Sequence, residues 1–193
     1  MFRQAGAEYF NPDEAAAKIL SRNPGISMEK ANSEAWLQGK RLLQRAITER
    51  RYFAFETTLG GNTIPRLLDE AISAGIEVRV WYVGLEGPEL HIARVRARAR
   101  RGGHDIPDAK IRERYDRSRI NLIRLMPRLT ELFVYDNSRQ ADPHTGATPE
   151  PTLILHMVRG RVTECCDLAA APQWTKPILA AGLRAAGAPD QIV

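Results

Sequence analysis

The sequence predicts an α/β fold with a largely parallel sheet flanked by helices. Three observations lead there. Strand-like runs alternate with helical stretches along the chain, the pattern of βαβ units. The 193 residues, 44% of them hydrophobic, suffice for one domain with a proper core. Finally, the apolar run Phe53-Ala-Phe55 delivers Glu56, Thr57 and Thr58 into a turn containing Gly60 and Gly61. In open parallel sheets, ligands dock outside the carboxyl ends of the strands, which is where these three polar residues would stand. A strand end whose polar residues start the next helix, with Thr58 or Asn62 as N-cap, accounts for them equally well.

Each element follows from local pattern. Glu8-Tyr9-Phe10 is a short apolar run ending at Asn11-Pro12-Asp13-Glu14, and residues 15–20 continue as helix with Pro12 in the first turn. Residues 28–50 carry apolar side chains at helical spacing: Ala31, Ala35, Leu42, Leu43, Ala46 and Ile47. Residues 51–55 read as strand, 64–74 as an amphipathic helix stopped by Gly75, and 77–84 as a β-rich strand. A helix over 88–101 breaks at Gly102-Gly103, and a second spans 108–125. Ile111, Tyr115, Leu122, Leu125 and Leu129 would pack that second helix onto the body. Residues 131–135 form a strand, 139–151 a surface loop, and 152–158 with 161–163 can form a hairpin about Arg159-Gly160. The tail after Pro172 reads as a peripheral helix, with Trp174 and Pro177 against the body. There is no internal repeat and no second domain, so residues 1–193 are expected to form one.

The charge is uneven. Arg94 to Arg128 holds eleven Arg and one Lys against Asp105, Asp108, Glu113 and Asp116, a balance of 12 − 4 = +8 within a chain of net +5. A local field of this kind suggests a local polyanion such as a phosphate group. No apolar run is long enough for a membrane span and the N-terminus lacks an apolar signal core, so a cytoplasmic protein without a membrane partner is expected. Cys165 and Cys166 are neighbours and cannot staple distant segments, and no Cys/His cluster has zinc spacing, so no metal site is expected from protein ligands alone.

Asp13 and Glu56 each follow a strand, which should set both carboxylates on one sheet edge. There a carboxylate can accept a hydroxyl proton during phosphoryl transfer. Helix capping and dipole complementarity explain Asn11 to Glu14 as simply. Arg94, Arg98 and Arg101 recur along one helix, and Arg114, Arg117, Asn121 and Arg124 along the next, joined by Gly102-Gly103-His104. Two arginine-bearing helices about a glycine hinge would make a lid, Arg being suited to phosphate oxygens by its planar, permanently charged fork. A solvated basic face is the plainer reading. His104 is more simply a hinge residue than a catalyst.

In order along the chain, Tyr9-Phe-Asn-Pro-Asp-Glu14, Phe55-Glu-Thr-Thr-Leu59, Val83-Gly-Leu85 with His91-Ile-Ala-Arg-Val95, Arg98 through Gly102-Gly-His-Asp-Ile-Pro107, Arg114-Tyr-Asp-Arg-Ser118 with Asn121, and Val134-Tyr-Asp-Asn-Ser138 resemble the zeta toxin family of P-loop kinases. The resemblance covers roughly residues 8–140. It implies a P-loop-kinase-like sheet, ATP and Mg²⁺ as cofactors, and a nucleotide sugar such as UDP-N-acetylglucosamine as phosphate acceptor, with an antitoxin as partner. It further implies that Asp13 is the base, that Glu56 and Thr58 hold the acceptor, and that Arg98 and Arg114, with Arg101 and Arg117, reach the nucleotide phosphates.

The chain departs from the family in one respect: no Gly-x-x-x-x-Gly-Lys-[Ser/Thr] occurs in it, and only ten residues precede Asn11. The first strand and phosphate-binding loop are therefore expected to be missing from this chain. In this fold class that strand lies between the one leading to Glu56 and the one over 77–83, so its loss exposes two strand edges. Two other classes compete: a nucleic-acid-binding protein using the helices of Arg94 to Arg128, and a catalytically inactive remnant that binds a partner. Nucleic acid is disfavoured because Tyr115 is the sole aromatic residue in the basic segment.

Overall fold

The computed structural model describes residues 8–100, 105–140 and 150–187. Its elements are β1 (Glu8–Phe10), α1 (Pro12–Arg22), α2 (Met28–Glu49), β2 (Phe53–Phe55), α3 (Thr63–Ser73), β3 (Arg79–Gly84), α4 (Gly87–Ala99), α5 (Asp108–Leu125), β4 (Glu131–Asp136), β5 (Thr152–Val158), β6 (Arg161–Cys165) and α6 (Lys176–Gly187). The chain is α/β, and none of its described helices is long and apolar enough to cross a membrane. It packs as two compact units, the described residues of Met1–Thr58 with Asn62–Ile76, and those of Leu59–Gly61 with Glu77–Val193.

In the first unit β1 and β2 pair in parallel, with Phe10 opposite Phe55, and the Glu56 N–H continues the ladder to the Phe10 carbonyl at 3.1 Å. Arg51, expected at the start of β2, lies outside the strand and pairs with Glu49 at 3.2 Å. Small residues let α1 and α2 approach closely: Ala16, Ala31 and Ala35 are buried together, flanked by Ala15, Ile19 and Leu20. Gly39 admits the Phe10 ring, whose Cε1 lies 2.5 Å from where a Cβ would stand. The helix α2 ends on Arg50 in the left-handed region (φ 51°), and the Arg51 N–H turns back to the Ala46 carbonyl.

The second unit is built on the sheet β3-β4-β5-β6. Only β3–β4 is parallel; β4–β5 and β5–β6 are antiparallel. The sheet is therefore mixed rather than largely parallel: β5 runs back along β4, and the tight turn at Arg159-Gly160 leaves only antiparallel pairing open to β5 and β6. Leu132, Val134, Leu155 and Met157 form the buried face with Leu122, Leu125 and Met126 of α5 and its extension, and with Ile178 of α6. Each such side chain contributes about 1.5–3 kcal/mol on burial. On the other face Phe133 stacks on Trp81 and His156, the ring centroids 5.6 and 4.1 Å apart. Trp174 packs on Gly84 and is buried as expected, whereas Pro177 is exposed.

Among the described residues β2 pairs only with β1, and β3 only with β4.

Candidate functional site

Parallel pairing of β1 and β2 sends both chains out at one edge, so the segment 11–14 and Glu56 leave their strands side by side. Asn11 organises this edge. Its backbone is extended (φ −113°, ψ 119°), which frees its side chain to cap α1, and Oδ1 accepts from the N–H groups of Asp13 at 2.8 Å and Glu14 at 3.1 Å. Its Nδ2 then donates to Glu56 Oε2 at 2.9 Å, while the Tyr9 hydroxyl donates to Glu56 Oε1. Both carboxylate oxygens are thus held, although Glu56 itself is exposed. The bond to Glu56 raises the Tyr9 phenol above its usual pKa of 10.0, with burial adding to the shift, so it stays a donor at neutral pH.

Asp13 is exposed in the first turn of α1, where the helix dipole favours a carboxylate. Thr58 is exposed beyond Glu56 and is not a helix cap; the N-cap of α3 is Asn62, without a side-chain cap bond. Asp13, Glu56 and Thr58 belong to the first unit, and the candidate arginines to the second.

In the second unit α4 and α5 are braced by two ion pairs, Arg96–Asp108 at 2.6 Å and Arg112–Glu89. Arg112 holds the Glu89 carboxyl below its usual range. Arg117 pairs with Glu113 at 2.9 Å and Arg119 with Asp116. Arg94 donates to the Arg139 carbonyl at 2.9 Å. Four of the twelve basic side chains of this segment are thus paired with carboxylates, three of them with acids already counted in its +8 balance, and Arg94 and Arg117 are occupied within the unit. Arg98 is exposed in the last turn of α4, and Arg114 is half-buried on α5 with no ion pair among the described residues. The two braces set the helices antiparallel, which separates the Arg98 and Arg114 backbones by roughly 14 Å along the pair. Arg101 and the hinge at Gly102, Gly103 and His104 lie outside the described residues.

Asn121, expected on the arginine stripe, is instead buried and holds the loop Leu59–Gly61, donating to the Leu59 carbonyl at 2.8 Å and the Gly61 carbonyl at 2.9 Å. The loop lies so close that a Cβ on Gly60 would meet the Arg114 Cβ at 2.8 Å. At the carboxyl ends of β3 and β4, Asp136 accepts from Trp174 Nε1 at 2.8 Å and from the Ser138 hydroxyl, and Ser138 accepts from the Glu86 N–H at 2.7 Å. The Tyr115 hydroxyl accepts from the Gly87 N–H at 3.0 Å and donates to the Leu85 carbonyl at 3.2 Å, fixing the entry to α4. Arg119 lies over the Tyr115 ring at 4.1 Å.

Among the described residues no group of three His, Cys, Asp or Glu is arranged to hold a metal ion. Sequence reasoning missed Tyr9, Asn11 and the true role of Asn121. Asn11 sits in a helix-start signature, and nothing local indicates that its second amide atom serves a carboxylate 45 residues away.

No protein-family model and no solved structure matches the chain. It is 32% identical over 103 residues to an uncharacterized protein of Haemophilus influenzae, an alignment covering 53% of this chain and 71% of that protein. The chain belongs to the family of this Haemophilus influenzae protein.

Proposed function

We propose that the chain is the acceptor-binding and arginine-bearing part of a zeta-toxin-like small-molecule kinase, transferring phosphate from Mg²⁺-ATP to a hydroxyl of a nucleotide sugar such as UDP-N-acetylglucosamine. The observation that carries this reading is the shared sheet edge on which Asp13 opens α1 while Glu56 is gripped through both oxygens. An exposed carboxylate at a helix start can take a hydroxyl proton, and a fixed second carboxylate can hold the hydroxyl-bearing substrate. Glu56 and Thr58 hold the acceptor, Asp13 receives the proton, and Arg98 and Arg114 stabilise charge on the transferring phosphoryl group. Arg101 belongs with them as a phosphate ligand; Arg117, paired with Glu113, would have to give up that partner. ATP and Mg²⁺ would be held chiefly by a Walker A segment, which these 193 residues do not contain.

That Tyr115 is the sole aromatic residue of the basic segment, and lies under Arg119, argues against a nucleic-acid surface. The test is to read the coding sequence upstream of Met1 for an in-frame strand and Gly-x-x-x-x-Gly-Lys-[Ser/Thr], express the extended protein, and assay ATP-dependent transfer to nucleotide sugars. Absence of transfer together with steeply salt-dependent RNA or DNA binding would replace the kinase reading.

A further inference from the structure

We propose that Tyr9 and Asn11 are positioning residues that hold Glu56 by its inner lone pairs so that its outer lone pairs receive a vicinal diol of the acceptor; this rests on the acceptor role given to Glu56 above. An ionised carboxylate is an acceptor only, with about four lone-pair sites. Two are taken, one by the Tyr9 hydroxyl and one by Asn11 Nδ2 at 2.9 Å. The two that remain, one on each oxygen, suit a pair of hydroxyl donors on adjacent sugar carbons, and they repel phosphate and carboxylate groups. The site therefore selects a neutral polyol portion and leaves the anionic part of a nucleotide sugar to be bound elsewhere.

Asn11 cannot turn its amide over. Its Oδ1 is committed to the N–H groups of Asp13 and Glu14 at the start of α1, so Nδ2 is the atom that faces Glu56. One side chain thus ties the helix bearing Asp13 to the carboxylate that would hold the substrate. A rotating, unclamped Glu56 would have to be ordered when ligand binds, which weakens binding.

The variants separate capping from clamping. Asn11→Asp keeps an oxygen for the Asp13 and Glu14 N–H groups but turns a second oxygen, in place of the donor, toward Glu56. Tyr9→Phe removes only the hydroxyl. On the 193-residue chain, the first measurement is the Tyr9 phenol titration, followed by absorbance as the difference from Tyr9→Phe. Glu56→Gln should lower its midpoint, because the bond to the Glu56 carboxylate is the largest cause of its upward shift, ahead of burial and of the more distant Glu14. The second is calorimetry with UDP-N-acetylglucosamine. Tyr9→Phe and Asn11→Asp should each weaken binding by about 5- to 20-fold, the loss of one charge-assisted hydrogen bond or its equivalent in disorder, with thermal midpoints close to wild type. In a Glu56→Gln background Tyr9→Phe should add little further loss.

Additive losses in that background, or wild-type affinity in both single variants, would overturn the positioning role. If the wild-type chain binds no nucleotide sugar, the acceptor reading fails, and the titration still decides whether Tyr9 and Glu56 are joined: an unmoved midpoint in Glu56→Gln overturns the clamp itself.

Discussion

Substituting Ala at Gly60 and at Gly61 should give opposite results, although the two glycines are neighbours in one loop. The Asn121 amide pulls the flanking carbonyls of Leu59 and Gly61 inward, bonding them at 2.8 and 2.9 Å, and this lays Gly60 against the backbone of α5. A Cβ on Gly60 would stand 2.8 Å from the Arg114 Cβ, 2.9 Å from its Cγ and 3.1 Å from its Cα. The first is about 0.7 Å short of an ordinary carbon–carbon separation, and the Cα belongs to a helix that cannot swing aside. Lifting the loop by that amount would stretch both Asn121 bonds toward the limit of a hydrogen bond. Overpacking alone costs about 1–3 kcal/mol, and weakening the two bonds adds on the order of 1 kcal/mol. A chain of this length loses about 2–4 °C of thermal midpoint per kcal/mol, so Gly60→Ala should unfold about 4–15 °C lower than wild type. A Cβ on Gly61 meets nothing within 4 Å, and its φ lies outside the left-handed region. Gly61→Ala should therefore be neutral or stabilise by up to about 1 kcal/mol, through the reduced freedom of the unfolded chain. Thermal unfolding by circular dichroism, with urea midpoints as a second measure, decides the matter. Equal stability of the two variants would show that the loop is not clamped onto α5 as described.

Asn121→Ala should cost about 1–3 kcal/mol in urea unfolding, through the loss of its two amide bonds to the Leu59 and Gly61 carbonyls. His91, half-buried against the Tyr115 ring, is held below its usual pKa of 6.5 by burial and then by Arg94. Between those two values the unfolded chain binds more protons than the folded one, so this contribution to stability is complete above about pH 6.5 and is lost as the pH falls below it. His91→Phe should flatten that part of the stability profile, read from urea midpoints at about pH 7.5 and 5.5; an unchanged slope would refute it. In the extended kinase, Asp13→Ala should lower kcat by about 10²- to 10⁴-fold with ATP affinity nearly intact, and Arg114→Ala should lower nucleotide affinity and turnover together by about 1.5–3 kcal/mol. Without a Walker A segment the 193-residue chain should bind Mg²⁺-ATP weakly, and low-micromolar affinity by calorimetry would contradict the assignment of its phosphate site.

The sequence was most legible where one local signal decides the structure. Pro12 after Asn11 marks the start of α1, a run of aromatic and β-branched residues marks β3, and Arg159-Gly160, both with positive φ, mark the β5–β6 turn. The direction of pairing was less legible, because it depends on which strand a hairpin returns to; treating strand–helix alternation as uniform over-extended the parallel sheet. At the site, Asp13 and Glu56 could be set on one edge from strand order alone. Tyr9 and Asn11 could not be assigned to Glu56, since that bond depends on the register of β1 against β2 rather than on spacing. Asn121 misled for a related reason. Its position on α5 matches the spacing of the arginines, but helical spacing does not distinguish a face turned to solvent from one covered by a distant loop.

The first unit is interrupted in sequence, for Leu59–Gly61 is counted with the second although residues on both sides belong to the first. Cutting the gene at the obvious place, between Ile76 and Glu77, would consequently sever more than it seems to. A fragment starting at Glu77 keeps its whole four-stranded sheet and the three helices α4 to α6, yet loses the two carbonyls that occupy Asn121 and the peptide that covers the Arg114 backbone. Such a fragment would present to solvent an amide stripped of its two carbonyls and a bare strip of helix. The tripeptide thus makes the second unit dependent on a stretch of chain made before its own first strand.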